Sequence, residues 1–232
     1  MPVARPREMD ILPFDHPGWD DRGTLTVADV STVEAVEFVS RWHYAGCGAG
    51  NSINAGLYCG MHLVGVAAFG VPISQDAAAS VFGVAHAGHV WDLSRFVLVD
   101  EAPRNTESWF LVRALRHLKS ARPSAWAVTS FADSTEGHIG TIYQATNAMY
   151  GGMTGVATQY VDQDGRLRSD RSNGRRITRR VADQRGWTPI RREAKHRYVF
   201  LLPDNRTHRR HLTRLLRWTG QPYPKREGDH GC

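Results

Sequence analysis

The stretch HVWDLSRFVLVD (89–100), continued by EAPRN (101–105) and TESWFLVRALRHLKSAR (106–122), decides the fold. Its first part is rich in β-branched and aromatic residues and has the length of a strand. Its last part sets Phe110, Leu111, Ala114, Leu115 and Leu118 on one helical face, with Thr106 as the expected cap. Strand, polar loop and amphipathic helix in that order are one unit of a layered α/β domain. They also bring the backbone N–H groups around Asn105, Thr106 and Ser108 to a helix N-terminus, where an anion could sit.

Outward from this unit the pattern continues. SAWAVTSFAD (124–133) reads as a buried strand that ends on a lone carboxylate, and HIGTIYQATN (138–147) as a short helix. Upstream, VSTVEAVEFVSRWHY (30–44) has helical spacing, with Ser31 or Thr32 as cap, and delivers His43 and Tyr44 at its end. AGCGAGNS breaks it, and SINAGLYCGMHLVGVAAFGVP (52–72) divides around Cys59–Gly60 as a hairpin. VATQYVD (156–162) and HRYVFLLP (196–203) read as strands, RRITRRVADQRG (175–186) and RTHRRHLTRLLRW (206–218) as basic helices. The expectation is a mixed α/β sheet flanked by helices, one domain over 31–226 behind an irregular lead-in at 1–30.

Charge is unevenly spread. Residues 1–164 hold 10 Lys/Arg against 17 Asp/Glu, whereas 165–226 hold 19 against 4. A basic block interleaved with Trp187, Tyr198 and Trp218 is the footprint of a protein that neutralises a phosphate backbone, or else a solvated basic face. On a helix, Arg175, Arg176, Arg179 and Arg180 would project from neighbouring turns and straddle adjacent phosphates. No apolar run approaches the roughly 20 residues that span a bilayer, and Cys47, Cys59 and Cys232 form no CxxC pair. An intracellular protein with reduced thiols and no membrane partner is predicted.

Several side chains could carry chemistry. Asp133, at a strand end, reads either as a general base or as the N-cap of the next helix. Arg95 interrupts an apolar strand and needs a partner: a phosphate, a carboxylate such as Asp133, or a substrate carbonyl. His43 reads as a base or as a satisfied core histidine, and Tyr143 as a catalytic or a packed tyrosine. His86 and His89 in HAGH are spaced as a metal pair without a third ligand in view. No GxGxxG follows a strand and no GxxxxGK[ST] occurs, so the two commonest nucleotide fingerprints are missing.

In order along the chain, WHY (42–44), LSRFVLVD (93–100), RNTESWFL (104–111), FADSTEGHIGTIYQATN (131–147), HRYVFLLPDN and TRLLRW resemble the Mom DNA-modification family of phage Mu and its relatives. The resemblance implies a fold similar to Gcn5-related N-acetyltransferases and a site acting on adenine in double-stranded DNA in the cytoplasm of a phage-infected bacterium. It implies catalytic roles for His43, Tyr44, Arg95, Asp133 and Tyr143, and places Ser108 at the helix start that cradles a coenzyme A pyrophosphate. The implied donor is acetyl-CoA or another acyl or aminoacyl compound, and iron held by His43, Tyr44 or Asp133 is a further expectation. The usual glycine-rich phosphate loop is replaced here by EAPRNTES. Two rival classes are an acyl-CoA-dependent N-acetyltransferase of proteins or small amines, and a DNA-binding module without catalysis.

Overall fold

The computed structural model describes residues 24–43, 53–168, 171–172 and 175–225. In chain order they form β1 (Leu25–Asp29), α1 (Thr32–Trp42), β2 (Ile53–Cys59), β3 (His62–Gly70), α2 (Gln75–Phe82), β4 (Val90–Leu98), α3 (Thr106–Ala121), β5 (Ala127–Asp133) and α4 (Thr141–Ala145). Then come β6 (Met149–Met153), β7 (Ala157–Val161), β8 (Leu167–Arg168), β9 (Arg171–Ser172), β10 (Arg175–Arg176), α5 (Arg179–Gln184), β11 (Thr188–Arg192), β12 (Lys195–Leu201) and α6 (Arg206–Leu215). A seven-stranded sheet runs β1-β2-β3-β4-β5-β12-β6, with β11-β7-β8 and β10-β9 as small separate sheets. Only β4 and β5 are parallel neighbours in the large sheet, as a strand–helix–strand crossover through α3 requires.

Alternation along the strands sends their residues to two faces. On one, α3 packs Phe110, Leu111 and Leu118 against Leu57, Phe69, Val128 and Tyr198. These side chains are fully buried, and truncating any one of the α3 three to Ala should cost about 3 kcal/mol. On the other face α1 covers Val66, Ala68 and Val97. Beside it α2 and α6 cover Val90, Ala127 and Val199 through Val81, Phe82 and Leu212. The expected α/β class, with a mixed sheet flanked by helices, is therefore present.

Some local expectations need correction. Residues 25–29 are not part of an irregular lead-in: they pair antiparallel with β2 as the sheet edge. Thr106 does not cap α3. Asn105 is the cap, in the left-handed region at φ 69°, and Thr106 is buried inside the first turn. RRITRR is not one helix: Arg175–Arg176 pairs with Arg171–Ser172 as a strand, and α5 begins at Arg179 after the Thr178 cap. The HAGH histidines belong to a short turn around Trp126, against which His89 stacks with ring centroids 3.7 Å apart. Strand β6 and helix α2 have no clear counterpart in the sequence reading. No helix among the described residues is long and apolar enough to cross a membrane.

Candidate active site

Strands β4 and β5 pair only at Val90–Asp92 with Ala127–Thr129. Beyond that point β4 runs on to Leu98 beside β3, and β5 to Asp133 beside β12, without pairing with each other. The sheet thus opens between them, with α3 starting just past the end of β4. The hydroxyl of Ser130, in this opening, is buried and has no hydrogen-bond partner among the described residues. At the helix start Ser108 donates its hydroxyl to the Asn105 carbonyl (3.1 Å), and no side chain caps the backbone N–H groups.

His43 closes α1, whose start is held by a reciprocal Ser31–Glu34 capping box. Its imidazole is held down to about 4, first by burial and then by the positive charges of Arg95 and His138. It is therefore neutral at pH 7 and able to accept a proton. Arg95 lies on the same sheet face and donates to the Ser94 carbonyl at 2.6 Å. Tyr44 lies outside the described residues.

Asp133 is both cap and ion-pair centre. One oxygen accepts from the Thr135 N–H at 3.1 Å. The other receives the Arg192 guanidinium and, at 3.1 Å, the Lys195 ammonium. Burial acts to raise its carboxyl, but the hydrogen bonds from Arg192 and Lys195 outweigh it and hold the group well below the usual carboxylate range. The partner of Asp133 is not Arg95, and so strongly neutralised an anion is a poor base. The cap reading is present in the structure. An iron site using Asp133 does not fit this arrangement, because two cations already occupy one oxygen and the Thr135 N–H the other. Among the described residues no group of three or more His, Cys, Asp or Glu converges for a metal.

Tyr143 sits on the opposite, α3 side of the sheet, half-buried against Tyr198 (5.3 Å between ring centroids) and Phe200 (6.0 Å). Its surroundings explain the GHIGTIYQATN signature. Gly140 has φ 75°, and a Cβ there would stand 2.5 Å from the Tyr198 ring, so only glycine fits. Tyr198 donates its hydroxyl to the Ile139 carbonyl, and Gln144 donates to the same carbonyl at 3.0 Å and to the Tyr198 oxygen at 3.1 Å. Tyr150 is buried in this same core, with its hydroxyl 2.9 Å from His196 Nδ1.

Sequence reasoning missed Asp92. It lies on the same face as His43 and Arg95, accepts from the Thr129 hydroxyl at 3.0 Å, and is raised by burial to about 6. Its signal was a charged residue in an otherwise apolar strand, shared with Arg95 three positions on. Also on this side, α6 buries Leu212 and exposes Arg206, Arg210 and Arg214 at four-residue spacing, with Arg209 beside them.

A mixed sheet opened between two parallel strands, with a neutral histidine and a guanidinium gathered on one face, defines an α/β protein with a cleft suited to ligand binding. The chain belongs to the Mom protein family, whose pattern matches residues 24–225. It is 28% identical over 209 residues to the methylcarbamoylase Mom of Escherichia phage Mu, covering 87% of this chain and 84% of that one. Solved structures similar to it include an acetyltransferase of Bacillus subtilis in complex with CoA, at 10% identity and a TM-score of 0.42 over 77% of this chain and 99% of that one. The ribosomal-protein-S18-alanine N-acetyltransferase of Escherichia coli matches at 10% identity with a TM-score of 0.43, over 78% and 97% of the two chains.

Proposed function

We propose that this chain is a transferase acting on the N6 amine of adenine in double-stranded DNA, leaving a carbamoylmethyl (acetamido) group that shields phage DNA from host restriction. The observation that carries the reading is the gathering of His43, Arg95, Asp92 and Asp133 on the sheet face that also bears the α6 arginines, in a Mom-family chain related to a methylcarbamoylase.

The adenine amine is a weak nucleophile because its lone pair is delocalised into the ring, and it is hidden in the base stack until the base is everted. Neutral His43 takes the amine proton as the new bond forms. Negative charge developing on the donor is offset by Arg95, and that same negative charge relieves the cationic field that depresses His43. Asp133 acts by fixing Arg192 and Lys195 rather than as the base. Tyr44, next to His43 in the sequence, has a catalytic part here by the family resemblance alone.

The donor enters through the opening between β4 and β5. Strand edges that do not pair with each other offer backbone groups to an amide-bearing arm such as that of acetyl-CoA or another acyl or aminoacyl donor. Its anionic part meets the backbone at Asn105, Thr106 and Ser108. Tyr143, on the other sheet face from His43, would reach the leaving group only through this opening and protonate it there. Acyl transfer alone attaches a carbonyl carbon to N6, whereas a carbamoylmethyl product attaches a CH₂ carbon, so the donor must carry its leaving group on the CH₂ next to a carboxamide, which plain acetyl-CoA lacks. Phosphates are held by α6 and by Arg179 and Arg180 at the start of α5, with Arg175 and Arg176 preceding them in the basic sequence.

The test is direct. Plasmid DNA from a bacterial host expressing the chain should resist adenine-sensitive restriction enzymes, and its nucleosides should contain a modified deoxyadenosine by mass spectrometry. Unmodified nucleosides from a host making soluble, folded protein would overturn the proposal.

A further inference from the structure

Beside the His43–Arg95 cluster, the face under α2 holds a cavity of about 210 Å³ lined by Pro72, Ile73, Ala77, Asp92, Thr129, Phe131, Arg197 and Trp218, among others. Its walls are largely apolar and its floor is polar. Thr129 donates to one oxygen of Asp92 at 3.0 Å, and no donor among the described residues engages the other oxygen. Across the floor, Arg197 lines the cavity and is anchored by a 2.6 Å bond to the Gly151 carbonyl.

We propose that this cavity receives the adenine itself, everted from the duplex and read through its exocyclic amine. The inference rests on the reading of the protein as a modifier of adenine in DNA. The volume falls below the range of pockets for drug-sized ligands, and it suits one flat ring system rather than a coenzyme. An adenine edge presents an N–H donor beside a ring-nitrogen acceptor, which complements a carboxylate oxygen and an arginine N–H. Burial raises Asp92 to about 6, so the group is still chiefly an acceptor at neutral pH.

The mouth supports an everted base over a freely diffusing metabolite. Just past β3, Val71 and Ile73 are 71% and 75% exposed on either side of Pro72, and Ile73 also lines the cavity. Exposed apolar side chains of this kind fill the gap that an everted base leaves in the stack. The arginine stripe of α6 leads directly to Trp218, which is tied to the α2 wall by a 3.3 Å bond to Ser80. The cavity also adjoins the reacting cluster, since the charges of Arg95 and Lys195 act on Asp92.

On the edge made by the 6-substituent and N7, deoxyadenosine and deoxyinosine differ only in an amine replaced by a carbonyl, whose oxygen would face the Asp92 carboxylate. The full chain is titrated with each by calorimetry. Deoxyadenosine should bind at least about tenfold more tightly than deoxyinosine, and Asp92→Asn should erase the preference. Ala77→Leu, which fills the cavity from α2 without touching the sheet, should abolish binding of both and serves if the Asp92 variant does not fold. Equal affinity for the two nucleosides, absence of binding, or a preference surviving in Asp92→Asn overturns the inference. Amine-selective binding by a protein that leaves DNA unmodified would sink the proposed function and keep the pocket. Full DNA modification by both variants would do the reverse.

Discussion

Arg192 on β11 donates through its guanidinium to the carboxylate of Asp133 at the end of β5, 59 residues earlier in the chain. With Lys195 on the same oxygen, this ion pair ties the small β11-β7-β8 sheet to the large one at the edge of the candidate site. Asp133→Asn would leave two part-exposed cations facing a buried neutral amide. A loss of about 3 kcal/mol in urea denaturation is expected. Because the native carboxyl is depressed, this contribution is complete above the unfolded value near pH 4 and fades only as pH falls through the lower native value. A variant as stable as wild type at pH 7 would mean that the pair is solvated.

His43 carries the opposite acid dependence from a histidine paired with a carboxylate, whose native value is raised. Its native value near 4 lies below the ordinary 6.5, so the unfolded chain takes up a proton that the folded chain refuses. Stability should fall as pH drops from 6.5 towards 4, and His43→Gln should flatten that limb in melting experiments. The same variant should lower DNA modification by about 10²-fold, the scale of a missing acid–base group.

Tyr143 and Tyr198 are neighbours that a pair of Phe substitutions can separate. Tyr143→Phe keeps the ring packing against Tyr198 and Phe200, so modification should fall by about 10-fold or more with the melting temperature within about 2 °C of wild type. Tyr198→Phe removes the bonds to Ile139 and Gln144 and should lower stability by about 1–2 kcal/mol. Normal activity in Tyr143→Phe would return that residue to a packing role.

DNA affinity should report on α6. Replacing Arg206, Arg210 and Arg214 with Gln is expected to flatten the dependence of log K on log salt by about 0.9 for each phosphate no longer neutralised, up to about 2.7, while helicity is unchanged. Affinity should weaken similarly for all sequences, since phosphates carry no base identity. An unchanged slope would assign the phosphate backbone to Arg175, Arg176, Arg179 and Arg180 instead.

The legible parts of the chain were those whose period is set locally. α3 and β4 read correctly from 89–122 because apolar spacing, loop chemistry and length all agree there. β6 was missed because MYGGM owes its strand state to pairing with β12, and glycines carry no strand signal of their own. RRITRR misled because charged residues fit either a helix face or a short exposed ribbon. Of the candidate site, His43, Arg95 and Asp133 stood out as polar groups at the ends or on the faces of apolar elements.

By itself the sequence determined the strand–loop–helix unit, the capped first helix, the hairpin at Cys59–Gly60 and the concentration of positive charge after residue 164. Each depends on neighbours within a turn or a strand, where spacing and side-chain shape act directly. Only the tertiary structure decided what surrounds Asp133, Asp92 and Tyr143. Whether a carboxylate is a base, a clamp or a buried acceptor depends on what the fold brings to it: the charges of Arg192 and Lys195 for Asp133, burial and the Thr129 hydroxyl for Asp92. Tyr143 was separated from both by the sheet itself, because side chains leave a strand on alternate faces and α4 packs on the other one.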